Sequence, residues 1–407
     1  MKYLFILLFP FLLFANLTYE SNHNKELKTL ESFDIEPSFI YDPILNKMRD
    51  KNTNISKNKH FFKAMDSAYI FIPAIKNLLN KHNIPQEFLY LAMAESNFKT
   101  KAYSSKRASG LWQFMPSTGK LYNLKIDQYV DERRDLIKST EAASKYLLSL
   151  HKKFGKWYLA AIAYNCGGGR LSRAIKKAGT DKLSVLLDEK KKYIPRESRY
   201  YIRKIVALAL LGNDEQFMLK SEYEYLLNRA NAYSIATIKL PPGESLKRVA
   251  GILNIPLKNL QELNRHLKYD FVPPYTRDYD IYIPYIKLSE FKQNYSKESM
   301  QNIYKVHIVK SGDNLSYIGK KYGVSYKIIK GFNKLTSNRL RLKQKLIIPI
   351  DNKKIKKFNT KLDYLVKKGD SLESISRAYK VSIKNIKSFN HLNGSLIKIG
   401  DRLKLYE

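Results

Sequence analysis

Pro85-Gln-Glu-Phe-Leu-Tyr-Leu-Ala-Met-Ala-Glu95-Ser96-Asn-Phe98 is the stretch on which the reading of this chain turns. Pro85 suits the first turn of a helix, and the residues after it are good helix formers with no breaker. Phe88, Leu91 and Ala92 stand seven, four and three positions before Glu95, so at helical spacing all four share a face. The carboxylate therefore projects from an apolar stripe. A carboxyl group placed there is costly to ionise, so its pKa rises and a proton stays available near neutral pH, as a general acid requires. A lone Glu near a helix end is more often simply solvated, so this assignment needs support from the rest of the chain.

Outward from that stretch the pattern stays helical. Helices are expected over 73–81, 85–97, 135–154 and 157–165, with others near 169–178 and 195–211. Asp135 can cap the third and Gly155 can stop it, while Pro195 opens the last. No alternating strand pattern occurs between 61 and 212, which predicts an all-α domain of about 150 residues. Further on, Val309-Lys-Ser-Gly-Asp-Asn-Leu315 recurs as Val366-Lys-Lys-Gly-Asp-Ser-Leu372, an offset of 57 that also carries Ile318 to Ile375, Phe332 to Phe389 and Asn333 to Asn390. This is an internal repeat. Each unit reads as a strand, a turn at Gly-Asp, two short helices and a closing strand. A weaker third copy, with Gly243-Glu-Ser-Leu246, Val249, Leu260 and Asn264, precedes them at an offset of 69.

Past Glu95-Ser96 come Ala102-Tyr-Ser104-Ser-Lys-Arg-Ala108-Ser-Gly110-Leu-Trp-Gln113-Phe-Met115-Pro116, then Ala163-Tyr164-Asn165, then Pro195-Arg-Glu197-Ser-Arg-Tyr-Tyr201. These motifs, in this order, closely resemble the transglycosylase domain of the soluble-lytic type, which implies a lysozyme-like fold. The repeats resemble LysM domains, small βααβ modules that bind N-acetylglucosamine-containing glycans. A catalytic domain followed by such repeats is similar to the membrane-bound type D branch of the lytic transglycosylases. The fold expected is thus multidomain: an all-α lysozyme-like catalytic domain followed by small α+β (βααβ) modules.

The resemblance implies one catalytic carboxylate, Glu95, protonating the oxygen between N-acetylmuramic acid and N-acetylglucosamine. Glu95 then acts as base toward the muramyl C6 hydroxyl, which closes a 1,6-anhydro ring without consuming water. This departs from the two-carboxylate scheme of most glycosidases. The next acidic residue in the chain is Asp127, although sequence distance does not exclude a partner in space. By the same resemblance Ser104 and Gln113 hydrogen-bond sugar, Met115 lines the groove, and Tyr164 approaches the carboxylate and the reacting sugar. Asn165 and Glu197 bind substrate or brace the groove, and Tyr201 matches the motif better than Tyr200. Each has a plainer alternative. Tyr164 can be a buried Tyr with a satisfied hydroxyl, Glu197 suits the first turn of any helix, and Leu111, Trp112 and Phe114 suit a core. Arg107 stands where the family often has Gly in a turn, and a positive φ there costs a non-Gly residue about 1 kcal/mol.

In the repeats the resemblance implies a shallow glycan groove at Gly312, Asp313 and Asn333, and again at Gly369, Asp370 and Asn390. Gly-Asp and Asn are also ordinary turn and cap residues, and both roles can coexist.

There are 73 Lys and Arg against 37 Asp and Glu, a net charge of +36. That balance suits an anionic partner or a Lys-rich solvated surface. With one cysteine, no disulfide forms within the chain. Cys166 follows a predicted helix, at its electronegative end and with no His nearby, a poor setting for a nucleophile. The His residues show no metal spacing and there is no phosphate-binding glycine loop, so neither metal nor cofactor is expected.

Tyr3 to Ala15 is almost wholly apolar, too short to span a bilayer comfortably but right for a secretory signal. Export to the periplasm is expected, not as a lipoprotein; an uncleaved anchor is the only expected route to a membrane. The expected organisation is a signal over 1–18, a polar linker or arm over 19–60, and the catalytic domain over 61–212. A connector over 213–300 holds the degenerate repeat (about 238–285), followed by modules at 305–350 and 363–407 joined by a linker at 351–362. The partner expected is a peptidoglycan strand rather than nucleic acid, met by a monomer. A hydrolytic lysozyme of the same fold, and a wall-binding scaffold that has lost activity, are the competing readings.

Overall fold

A computed structural model of the chain describes residues 22–53, 59–127, 129–219, 234–273, 278–296, 304–349 and 362–405, apart from a few single positions in the last two stretches. The predicted signal peptide and all but the last residue of the predicted linker at 351–362 lie outside the described residues. The chain divides into two units, 1–127 with 131–234 and 128–130 with 235–407.

The first unit is helical, with no strand among its described residues. A helix over 22–31 (α1) is followed by α2 (Pro43–Thr53), α3 (Lys59–Ala68), α4 (Ile72–Lys81), α5 (Leu89–Ser96) and α6 (Pro116–Leu121). Then come α7 (Leu136–Phe154), α8 (Trp157–Cys166), α9 (Gly168–Ala178), α10 (Leu183–Leu186), α11 (Arg196–Asn213) and α12 (Glu215–Leu219). The ends follow local chemistry. Asp135 accepts from Lys138 N at 2.8 Å, and Gly155 ends α7 at φ +76°. A single 3₁₀ turn, Gln86–Phe88, precedes α5, which stops where Asn97 and Phe98 adopt left-handed conformations. Helices α5, α8 and α11, with the turn before α5, carry the core: Phe88, Leu91, Ala92, Ile162, Ala163, Ile202 and Ile205 are all fully buried.

Where it is described, the predicted arm is not a linker. Its described residues are mostly helical, and Leu30, Phe33, Ile35, Phe39, Ile40 and Leu45 are buried in the catalytic unit. Helix α2 packs along α11. Asp42 accepts from Arg203 (2.9 Å), Glu189 bridges Arg203 (3.1 Å) and Arg199 (2.9 Å), and both guanidinium side chains are only 4% exposed. A few apolar residues scattered among Lys, Asn and Glu leave the average composition polar, while their burial depends on helices more than a hundred residues away. At the other end the unit runs past 212, since Phe217 of α12 stacks on Phe62 at 5.1 Å.

Among its described residues the second unit shows three βααβ modules, each with an antiparallel strand pair. The first is β1 (Ile235–Leu240), α13 (Leu246–Ile252), α14 (Leu257–Leu263) and β2 (Tyr279–Pro284), followed by an added helix, α15 (Leu288–Asn294). Next come β3 (Tyr304–Ile308), α16 (Leu315–Tyr322), α17 (Tyr326–Phe332) and β4 (Lys345–Pro349). The last has β5 (Leu362–Leu365), α18 (Leu372–Tyr379), α19 (Ile383–Phe389) and β6 (Arg402–Leu405). Leu315, Ile318, Ile329 and Leu346 form one core; Leu372, Ile375, Ile386 and Leu403, the same positions one repeat later, form another.

Candidate active site

Glu95 sits in the last turn of α5 and borders a cavity of about 550 Å³. Its Oε1 accepts a 2.5 Å hydrogen bond from the Tyr201 hydroxyl. Desolvation by the surrounding core raises the Glu95 pKa from the ordinary carboxylate value to about 7; the Tyr201 bond and the Lys204 charge pull it back, and Glu197 adds to the rise. Tyr201 is itself buried, and its pKa stands well above the ordinary phenol, first from desolvation and then from the adjacent carboxylate. Glu95 is therefore a carboxyl that keeps a proton available near neutral pH, steadied by one neutral donor.

The cavity wall is largely one face of α11. Glu197, Tyr200, Tyr201, Lys204 and Ala207 recur at helical spacing along it. Asn165, from the end of α8, also lines it; its Oδ1 accepts from the Ser198 hydroxyl of α11 at 2.6 Å, which fixes the amide's orientation. Met48 of α2 completes the wall, so the N-terminal arm contributes to the cavity itself.

Of the residues expected at a substrate site, Glu95, Asn165, Glu197 and Tyr201 thus come together around one space. Ser104, Gln113, Met115 and Tyr164 are not among its lining residues. Tyr164 donates to Trp112 O at 2.7 Å, while desolvation, with Glu95 second, raises its pKa; its hydroxyl is committed to the backbone rather than to the carboxylate. Ser104 Oγ accepts from Ala108 N at 3.0 Å, closing a turn. Gln113 donates to Gly110 O at 2.7 Å, from a backbone with φ +48°. Met115 is exposed at the end of the same loop.

That loop is held from beneath. Buried Arg133 pairs with Asp131 through Nε and Nη2, both at 2.8 Å, and donates from Nη1 to Arg107 O (2.7 Å) and Phe114 O (3.0 Å). At Gly110 any Cβ would stand 1.8 Å from Arg133 O, so only glycine fits. Arg107 takes φ +67°, the strained value expected from its position. Ser96 donates to Leu111 O at 2.8 Å, joining the Glu95 helix to the loop, and Trp112 is buried with its indole N–H on Thr140. Cys166 caps nothing catalytic: burial pushes its thiol pKa up, away from the thiolate a nucleophile needs.

In the modules the expected sugar contacts hold structural bonds. Asn333 donates to Ile329 O (2.8 Å) and Ile347 O (2.7 Å) and accepts from Ile347 N (2.8 Å). Asn390 makes the same set to Ile386 and Lys404, and Asn264 to Leu260 and Tyr282. In every copy the amide pins the second helix to the closing strand, with both of its N–H donors used there. Gly312 and Gly369 turn at φ +84° and +87°. Asp313 accepts from Lys310 N and bonds His307 (both 2.7 Å), and Asp370 accepts from Tyr364 at 2.6 Å.

Comparison with known families separates the parts. The transglycosylase SLT domain matches residues 73–186, the LysM-like domain of lytic transglycosylase MltD matches 234–300, and the LysM domain matches 307–349 and 364–405. The membrane-bound lytic murein transglycosylase D of Escherichia coli K12 is 29% identical over 386 residues, 89% of this chain and 82% of that protein. The chain thus combines a transglycosylase SLT domain with an MltD-type LysM-like domain and two LysM domains, and is similar to MltD along most of its length. Its helical unit is a lysozyme-like SLT domain, followed by LysM-type modules. The N-acetylmuramoyl-L-alanine amidase sle1 of Staphylococcus epidermidis is 38% identical over 99 residues, 24% of this chain and 31% of that protein. Among solved structures, the soluble lytic transglycosylase SLT70 of E. coli aligns at 22% identity over 37% of this chain and 24% of that chain, with a TM-score of 0.29.

The matched SLT segment ends before α11, yet α11 supplies most of the transglycosylase's cavity wall. Lys204 was not foreseen in the sequence and Tyr200 was set below Tyr201, although periodicity counted from Glu197 and Tyr201 places both on the cavity face. Met48 carries no local signal, because only the docking of the arm brings it there.

Proposed function

We propose that this exported enzyme cleaves the β-1,4 bond between N-acetylmuramic acid and N-acetylglucosamine in peptidoglycan, leaving 1,6-anhydromuramyl ends. The observation that carries this reading is the Glu95 carboxyl, lifted to about 7 in a cavity large enough for sugar and held by the Tyr201 hydroxyl. Such a group gives its proton to the departing glycosidic oxygen, then takes one from the muramyl C6 hydroxyl as that oxygen attacks C1. The substrate's N-acetyl group stabilises the oxocarbenium-like charge between the two steps. Tyr201 steadies the carboxylate in the interval, a charge-assisted hydrogen bond. Asn165 and Glu197 bind the sugar from the same cavity, while Ser104, Gln113 and Met115 extend the binding surface from the neighbouring loop. Tyr164 shapes that loop through Trp112.

The LysM modules hold the enzyme on the glycan, using turns built on Gly312-Asp313 and Gly369-Asp370 and backbone groups near the Asn333 and Asn390 pins. The apolar N-terminal stretch directs the chain to the periplasm, where it works as a monomer on an anionic polymer that suits its +36 charge. Glu197 favours one rival. A second carboxylate beside the acid is what a hydrolytic lysozyme would use to activate water. End-group analysis separates the two, since only the transglycosylase leaves anhydro ends. Glu95→Gln is expected to abolish cleavage with fold and wall binding retained; substantial residual cleavage would refute the assignment of Glu95.

A further inference from the structure

Lys204 lies one turn beyond Tyr201 on the cavity face of α11 and two turns beyond Glu197, about 10 Å along the helix axis. Its ammonium donates to Ala94 O at 2.7 Å, which anchors it beside Glu95. Among the described residues that carbonyl is its hydrogen-bond partner, and no carboxylate lies within ion-pair distance. Two of its three N–H donors therefore remain for something in the cavity. The other charged groups of the wall, Glu95 and Glu197, are both carboxyls, and Lys204 is its one cation among the described residues. The same wall also holds apolar side chains, Ala207 one turn on from Lys204 along α11 and Met48 from the arm. A cation with free donors beside an aliphatic surface suits a carboxylate carried on a short methyl-bearing carbon.

We propose that Lys204 binds a carboxylate on the lactyl ether, or on the peptide attached to it, of the muramyl residue that reacts at Glu95. The assignment rests on the transglycosylase reading above and deepens it. Lactyl and alanyl groups both pair a carboxylate with a methyl, and both are absent from N-acetylglucosamine. Lys204 would thus distinguish the muramyl sugar from its neighbour at the position where the anhydro ring closes. Met48 would contact the methyl, which gives the docked arm a part in substrate choice.

The test measures kcat/KM for release of anhydro ends by the full-length enzyme, Lys204→Met and Lys204→Arg on three soluble glycan strands. One strand carries its peptides, one is peptide-free with lactyl carboxylates exposed, and one is peptide-free with those carboxylates converted to primary amides. Lys204→Met is expected to lose roughly tenfold more, mostly through KM, where the recognised carboxylate is present than on the amidated strand, which reports any effect of the lost charge on Glu95 itself. Loss confined to the peptide-free acid strand places the contact at the lactyl group, and loss confined to the peptide-bearing strand places it on the peptide. Lys204→Arg is expected to recover most of the loss. An equal loss on all three strands, or none on any, overturns the assignment. Absence of anhydro ends from every strand with the unaltered enzyme is failure of the transglycosylase reading itself, and this assignment falls with it.

Discussion

At Glu95 two opposing effects meet on one carboxyl. Burial raises its pKa to about 7, and the Tyr201 bond restrains the rise. Two predictions belong here. Tyr201→Phe removes a donor that favours the charged form, so the Glu95 pKa climbs, the alkaline limb of the kcat/KM profile moves upward, and the optimum rate drops about tenfold. A limb that stays in place would show that the bond does not tune the acid. For stability the sign follows from a folded-state pKa above the unfolded one. Below the ordinary carboxylate value both states are protonated, whereas through about 7 the native state must carry a buried charge and loses stability. Glu95→Gln is free of that loss, so its advantage in urea denaturation should grow by about 1–2 kcal/mol between pH 4 and pH 8. An advantage independent of pH would contradict the burial account. The Glu95 stripe was legible because helical spacing and apolar neighbours are local signals. Lys204 stood on the same kind of spacing and went unread, since a Lys on a basic chain looks like solvated surface.

Among the elements, α11 matters most: one face lines the cavity and the other is clamped to the arm through Arg203 and Asp42. Asp42→Asn leaves a buried guanidinium with only Glu189 as its charged partner, and should destabilise the catalytic unit by about 2–3 kcal/mol in a urea titration. A change within error would show that the pair contributes nothing net. Most helices of this unit could be foreseen because caps and apolar periodicity mark them within a few residues. The arm could not. Its buried Leu30, Phe33 and Leu45 are sparse in a polar context, and only the distant α11 and its neighbours make them core. In the modules the strand–helix–helix–strand order followed from the repeat. The reason for the repeated Asn did not, because a turn residue and a helix-to-strand pin have the same letter. Asn333→Ala orphans the Ile347 N–H and the carbonyls it served, and should weaken its module by about 2 kcal/mol while leaving cleavage of short soluble glycans unchanged.

On the scale of the whole molecule, catalysis and attachment are separate jobs on separate units. Modules in tandem raise the local concentration of an enzyme on a polymer without either binding tightly. Deleting residues 305–407 is expected to reduce sedimentation with sacculi at least tenfold while leaving kcat on short oligosaccharides within about twofold. Loss of both together would mean that the modules support the catalytic unit directly. The internal repeat was plain in the sequence because an ungapped offset does not need a structure to be seen. Net charge was less informative, since +36 alone suits several anionic polymers. The central claim is that one carboxyl serves both halves of bond cleavage without water. Mass spectrometry of the fragments released from purified sacculi tests it most directly. The account predicts muramyl ends 18 Da lighter than hydrolysed ones, the mass of about one water, with none from Glu95→Gln; reducing muramyl ends throughout would contradict it.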